Sequence, residues 1–565
     1  MQYKTIMNRL LTLAVLSLSA VFAMAQPKNA GRALLKLTTY DEAGKVVKTV
    51  NAFVCGDAST AVASFDAFNG AARAVAVDLK GTTYNVVRIL GASNDCDLVK
   101  FSIDGKGAPL PLLEGSGKNQ KAGTTLYLVS SPDGKREVVS RASVLKTEEY
   151  EDYFFFDVTV ANQATNFGCP IVDAQGNVVA VVKENLSKGA ANAYAIDVHL
   201  ANDLTVNAQS ALNADLRKIL IPKVLPADEK DAYSYVYLMG NLNDPQYGAA
   251  LSDFISAWPN NPEGYVMRAD ASVANKDYAQ ADADYAKALS LANDNFRADA
   301  IHYAYSRAIY NRCLDEKDGQ AGTWTFDKSY DEAVMAYDAN PLSQYLVQQG
   351  CCLFAKKDYV AAREKFRQVN AGHYGTNETF YYEVLSAERC GASQQEVLAL
   401  MDSVVAHCAK PYDLTAAQYL FERARRLDQA GEYRKAYADL KDYEQTVGPR
   451  RLTDEFYYQR GKVAEKAKMY QQALEDLETA RGFNASSRDF YDLEIAALYV
   501  NIGEYDKAIS LCEDILKNLP ESADCYRFMG ICYGEKGNKA KAKENFNRAK
   551  QLGDDTADGL MQKYM

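Results

Sequence analysis

Acyl transfer by side chains needs a hydroxyl or thiol that attacks, an imidazole that takes its proton and an acid that orients the imidazole. The chain of 565 residues holds only four histidines. His302, His373 and His407 fall in helix-periodic sequence and His199 at the far end of a β-patterned segment, so no histidine inside that segment is placed to act as base. Eleven cysteines are scattered without a CxxC pair and with one adjacent pair, Cys351-Cys352. A zinc site needs ligands at short regular spacing, so the sequence predicts no metal and no cofactor. Cys512 and several others occupy helix-face positions that suit small core residues. A core this large does not depend on disulfides, and the odd count leaves at least one thiol unpaired or intermolecular.

Two kinds of element must position whatever chemistry the chain has. Residues 28–200 alternate in short β-branched runs, among them 34–39, 46–54, 84–90, 153–160 and 178–182, separated by Gly and Asp/Asn turns such as Asp133-Gly134. Many short strands without helices of comparable strength imply a β-barrel or sandwich. Beyond it, four points recur nine times at gaps of three, four and three: an aromatic, Ala, an aromatic or Leu, then a small residue. Tyr278/Ala281/Tyr285/Ala288 and Tyr470/Ala473/Leu477/Ala480 show it best, and such gaps put all four on one helix face. The units lie about 31 to 40 residues apart, save around the third, which carries a polar insertion at 315–327 with Trp324. A small residue nine before the marker aromatic (Ala269, Gly350, Gly461, Ala496, Gly530) marks where two helices approach closely. Between the halves, 201–229 reads as a helical connector whose apolar run 219–225 packs on one domain and is ended by Pro222 and Pro226.

Residues 1–25 carry Lys4 and Arg9 ahead of an apolar run ending in Ala23-Met24-Ala25, the pattern of a secretory signal peptide. No Cys stands at the cut to take a lipid, and no second apolar run is long enough to span a bilayer. The expectation is an exported chain, periplasmic or secreted. Losing Lys4 and Arg9 takes the formal charge from -11 to -13. An acidic surface disfavours nucleic acid and anionic membrane, whose affinity comes from neutralised phosphates.

The nine-fold helix pattern resembles the tetratricopeptide repeat (TPR) family over about 330 residues, 230–565. The β segment resembles the trypsin-like serine protease fold, a pair of six-stranded barrels. Asn51-Ala52-Phe53-Val54 followed by Ala63-Ser64-Phe65-Asp66-Ala67-Phe68 is similar to the strand pair that bears the histidine in secreted bacterial members. Asn94-Asp95-Cys96-Asp97-Leu98-Val99 is similar to the acid-bearing strand, and Thr165-Asn166-Phe167-Gly168-Cys169-Pro170 to the GNSGGP loop of the nucleophile. The chain is thus expected to be multidomain: an N-terminal all-β double barrel followed by an all-α solenoid of about nine hairpins.

Carried over residue by residue, the resemblance puts Asp66 at the histidine position, Asp97 at the acid position and Phe167 at the nucleophile position. Phenylalanine supplies no nucleophile, and a carboxylate with an ordinary pKa near 4 is a poor substitute for imidazole. Three alternatives remain: Cys169 as a replacement nucleophile, Asp66 and Asp97 as a proton-sharing pair, or a barrel kept for its shape. The expected function is an exported, non-catalytic binding or scaffolding protein whose repeats take a protein or peptide partner. Alternatives are an atypical trypsin-like peptidase of the cell envelope and an envelope assembly factor. Nothing in the sequence sets the partner's identity or the oligomeric state.

Overall fold

In the computed structural model, residues 27–112, 120–150 and 153–565 are described. The segment read as a signal peptide, 1–25, lies outside them. The chain divides into two compact units, Met1–Arg297 and Ala298–Met565.

The β-patterned segment forms two closed six-stranded barrels. The first uses β1 (Leu34–Tyr40), β2 (Val46–Val54), β3 (Thr60–Ala63), β4 (Arg73–Asp78), β5 (Thr83–Ser93) and β6 (Leu98–Ile103), in the order β1-β2-β3-β6-β5-β4. The second uses β7 (Thr125–Ser130), β8 (Val138–Tyr150), β9 (Tyr153–Ala161), β10 (Pro170–Val172), β11 (Val178–Lys183) and β12 (Asn192–Asp197), in the order β10-β11-β12-β9-β8-β7. Alternate residues point inward, so Leu37, Ala52, Phe101 and Ile89 fill the first barrel while Leu128, Phe156, Ile171 and Ala195 fill the second. The opposite faces of the same strands build a third core between the barrels, where Phe53, Val62 and Leu98 meet Val129, Val172 and Ile196. This shared core fixes the barrels side by side and leaves a cleft along one edge of their junction.

Instead of one helix, the connector is a series of turns. The Asn207 side chain caps a short 3-10 turn, Ala208–Leu212, and the Asn213 side chain restarts the chain as Ala214–Lys218. Each Asn accepts from backbone N–H groups two or three residues on, which competes with a continuous helix. The following run closes over the first barrel. Ile219 and Ile221 are buried in its core, Leu220 N–H donates to the Ala71 carbonyl at 2.8 Å, and Val224 N–H to that of Ile89 at 2.9 Å.

Among the described residues, nine helical hairpins follow. Two belong to the first unit: α1 (Glu229–Asn241) with α2 (Tyr247–Ala257), and α3 (Pro262–Ala274) with α4 (Tyr278–Ser290). The second unit runs from α5 (Ala298–Asp315) and α6 (Phe326–Ala339) through α7 (Ser343–Ala355), α8 (Tyr359–Asn370), α9 (Asn377–Arg389) and α10 (Gln394–Ala406). It continues with α11 (Leu414–Gln429), α12 (Tyr433–Val447), α13 (Asp454–Lys466), α14 (Tyr470–Phe483), α15 (Arg488–Ile502) and α16 (Tyr505–Asn518). It ends with α17 (Ala523–Glu535), α18 (Lys539–Gln551) and α19 (Ala557–Tyr564). The marker aromatics Tyr247, Tyr278, Tyr359, Tyr433, Tyr470 and Tyr505 each begin the second helix of a hairpin. The Ala that follows by three is buried in all of them except Ala250, which is partly exposed.

The polar insertion at 315–327 is a small β-hairpin, Gln320–Ala321 with Trp324–Thr325, whose indole is fully buried against the edge of Tyr305. At the other end of the repeats α19 covers the last hairpin: Tyr564 stacks on Phe546 at 6.0 Å, and lies over Gly534 so closely that a Cβ there would be 2.7 Å from its ring.

Candidate functional site

The cleft between the barrels has a volume of ≈ 780 Å³ and gathers the three residues singled out from the sequence. Asp97 closes the turn 94–97 with its N–H on the Asn94 carbonyl at 2.9 Å and a left-handed φ of +47°, which Asp tolerates better than most residues. That geometry turns its carboxylate back toward the first barrel. Ser64 Oγ donates to both carboxylate oxygens, at 2.7 and 2.8 Å, and the Asp66 backbone N–H donates to Oδ1 at 2.9 Å.

The remaining partner of Asp97 comes from the second barrel. Lys183, the last residue of β11, places its ammonium 2.9 Å from Oδ2 and also on the Asp97 carbonyl. The Lys183 side chain is 13% exposed and that of Asp97 41%. Burial lowers the Lys183 pKa below the usual lysine range, and the Asp97 charge opposes that shift. With two Asp97 oxygens as acceptors, the ammonium form has a reason to persist in spite of the burial.

The Asp66 carboxylate has a partner of its own. The side chain is exposed and pairs with Lys48 of β2. The proton-sharing pair of Asp66 and Asp97 is therefore not what the geometry builds, because a different cation stands on each carboxylate.

Phe167 lines the cleft and packs on the core of the second barrel. The loop that carries it is pinned across the junction: Asn51 Nδ2 donates to the Thr165 and Phe167 carbonyls at 3.1 and 2.8 Å. Gly168 follows at φ +77°, and a Cβ there would sit 2.5 Å from the Asn51 carbonyl oxygen, so only glycine fits. Cys169 points the other way. It is 1% exposed within the second barrel's core, and burial pushes its thiol up to about 12, the opposite of an activated nucleophile. His199 is bonded through Nδ1 to the buried Asp197 at 2.6 Å and is not among the residues lining the cleft.

Ser64, Lys183, Lys48 and Asn51 escape a reading of the sequence, since each meets its partner across 18 to 116 residues. The clue lay in β11, an otherwise apolar run, Val178–Val182, that ends in a lysine with its side chain between two barrels. Cys96 also lines the cleft, its one thiol among the described residues. The cleft thus offers ammonium groups, carboxylates and the apolar surfaces of Phe155, Phe167, Leu186 and Tyr194, a lining suited to holding an extended chain.

Residues 43–181 match the family model of the trypsin-like peptidase domain, and residues 262–295 match a tetratricopeptide repeat. No curated protein matches the chain. Among solved structures it is similar to an HtrA-type protease, AlgW with tripeptide, at 19% identity and TM-score 0.27, covering 31% of this chain and 58% of that one. It is also similar to a serine endoprotease from Yersinia pestis at 15% identity and TM-score 0.27, covering 31% and 62%. The chain thus spans about three fifths of the length of these solved proteases. A trypsin-like domain and tetratricopeptide repeats are fused in one polypeptide.

Proposed function

We propose that this is an exported, non-catalytic binding protein, in which the helical repeats take a protein partner and the barrel cleft holds peptide without cutting it. The observation that carries the reading is the state of Asp97. Where a working site would set an imidazole against the acid, Lys183 and Ser64 occupy both carboxylate oxygens and Asp66 is paired with Lys48. Phe167 brings a ring, with no lone pair to attack, into the cleft. Removing triad members in a serine protease removes most of its rate, even with the rest of the site intact. The positive role of the repeats rests on their family, whose members commonly present surfaces to other proteins.

A second reading, an atypical peptidase, draws on one observation: the Cys96 thiol lies in the same cleft as Lys183. Reactive-site labelling separates the two. The full chain is treated at pH 7.5 with a fluorophosphonate and, separately, with a peptidyl chloromethyl ketone, and modified residues are located by mass spectrometry. No fluorophosphonate adduct is expected at Ser64, and chloromethyl ketone modification of Cys96 no faster than of the exposed Cys390. Rapid, saturable modification of Cys96 or Ser64 overturns the non-catalytic reading.

A further inference from the structure

We infer that the inter-barrel cleft selects extended peptides in which a large apolar side chain adjoins a lysine or arginine, an inference that rests on the peptide-holding role proposed for the cleft. The selection follows from which charges in the cleft are already satisfied. Lys48 is paired with Asp66, Lys183 with Asp97, and Glu148 with Lys146. Asp95 and Glu184 line the same cleft, are exposed, and have no ion-pair partner among the described residues.

Their positions are set by the pair they flank. Asp95 stands two residues before Asp97 on the first barrel, and Glu184 directly follows Lys183 on the second, so the Asp97–Lys183 contact of 2.9 Å brings both carboxylates to one end of the cleft. Two unneutralised carboxylates at one mouth give it a negative potential that the low-dielectric walls concentrate. Beside them Leu186 stands 86% exposed, an apolar side chain left in solvent, with Phe155 and Phe167 lining the cleft. Burial of a large apolar side chain there removes surface from water, and the adjoining cation neutralises the mouth. Lys36, also in the lining, donates its ammonium to Asn51 Oδ1 at 3.3 Å, on the residue that pins the Phe167 loop.

Three fluorescein-labelled hexapeptides, alike except that lysine, norleucine or glutamate follows a central phenylalanine, are titrated into the full chain and followed by anisotropy at low and physiological salt. The lysine peptide is expected to bind about five- to tenfold tighter than the glutamate peptide at low salt, with the gap narrowing as salt rises. Neutralising the mouth with Asp95→Asn/Glu184→Gln is expected to remove that gap and leave the norleucine peptide within about twofold. A double variant at two carboxylates outside the cleft lining, Glu42→Gln/Glu521→Gln, keeps the gap and so rules out attraction by the overall charge. Leu186→Ser weakens all three peptides alike. Equal binding of the lysine and glutamate peptides overturns the charge selection while leaving a peptide-holding cleft. Absence of binding by all three removes that role of the cleft and this inference with it.

Discussion

The barrels and the repeats each hold ion pairs set into their packing, and the pairs are built on different principles. In the barrels, Asp97 and Lys183 meet across 86 residues, where the two barrels join. In the repeats, an arginine on the first helix of a hairpin grips an aspartate on the second at a separation of 16 residues, and does so three times. Arg268 binds Asp284, Arg423 binds Asp439, and Arg460 binds Asp476, through two guanidinium nitrogens in each case. Each arginine directly precedes the small residue where the helices approach (Ala269, Ala424, Gly461), and each aspartate lies six beyond the aromatic that begins the second helix. Repetition makes such a clamp a feature of the unit. The pair between the barrels instead involves Asp97, at the position to which the resemblance to trypsin-like proteases assigns the acid.

That contrast can be broken most forcefully in the second unit. Arg460 is 8% exposed, bonds Asp476 and Glu444, and lies over the rings of Phe456 and Tyr457 at 5.4 and 5.3 Å. Burial opposes its charge, but the two carboxylates more than offset this and raise its pKa above the usual arginine range. Arg460→Ala leaves buried Asp476 uncompensated and is expected to cost about 4 kcal/mol, read as urea-dependent proteolysis localised to 298–565. Arg460→Met/Asp476→Leu is expected to recover most of that loss. Asp97→Ala, whose partner Lys183 is buried but whose own side chain is 41% exposed, is expected to cost less, about 2 kcal/mol, and to open 27–297 instead.

Alkali distinguishes the barrel cores next. Burial pushes the Cys55 and Cys169 thiols from 9.0 up to about 12. A pKa raised on folding means the unfolded chain loses its proton first, so the stability these groups contribute is intact below pH 9 and declines as pH rises from 9 to 12. Stability of the first unit is expected to fall by about 1 kcal/mol per thiol between pH 9 and 10, and Cys55→Ala/Cys169→Ala to flatten that slope in urea melts. A slope unchanged by the double variant would contradict their burial as thiols.

The smallest effects compare close approaches within the repeats. A Cβ at Gly350 would lie 2.7 Å from the Phe366 ring, whereas one at Gly461 meets Ala473 O and Asp476 Cβ at 3.3 Å. Gly350→Ala is expected to lower stability by about 1 to 2 kcal/mol. Gly461→Ala is expected to be neutral or stabilising by a few tenths, ~0.3 kcal/mol, because the gain in helix propensity offsets a mild squeeze. Equal losses at both, measured by thermal unfolding, would mean that helix spacing is uniform along the unit.

What the sequence made legible follows the same division. Nine copies of one spacing fixed the register of the hairpins, so that marker aromatics such as Tyr470 and Tyr505 fall on the first residue of a helix. Ten strand runs could be read from alternation, but Thr60–Ala63 and Pro170–Val172 could not, since four and three residues barely complete one alternation. Asp66, Asp97 and Phe167 were found through a resemblance, and the cleft does bring them together. Their partners Ser64, Lys48, Asn51 and Lys183 were not, because a contact made once over a long separation leaves no period to detect. The Arg–Asp clamp had such a period, but in three hairpins of nine it was masked by the stronger pattern of aromatics and alanines.

The central claim, that the barrel pair holds peptide without cleaving it, is tested most directly by turnover. The full chain is incubated with casein and with a quenched peptide mixture, and new amino termini are counted by mass spectrometry over hours. The account predicts no cleavage above buffer, identical in the parent chain and in Asp97→Asn, Cys96→Ala and Cys169→Ala. Turnover by the parent chain that is lost in any of those three variants would contradict it.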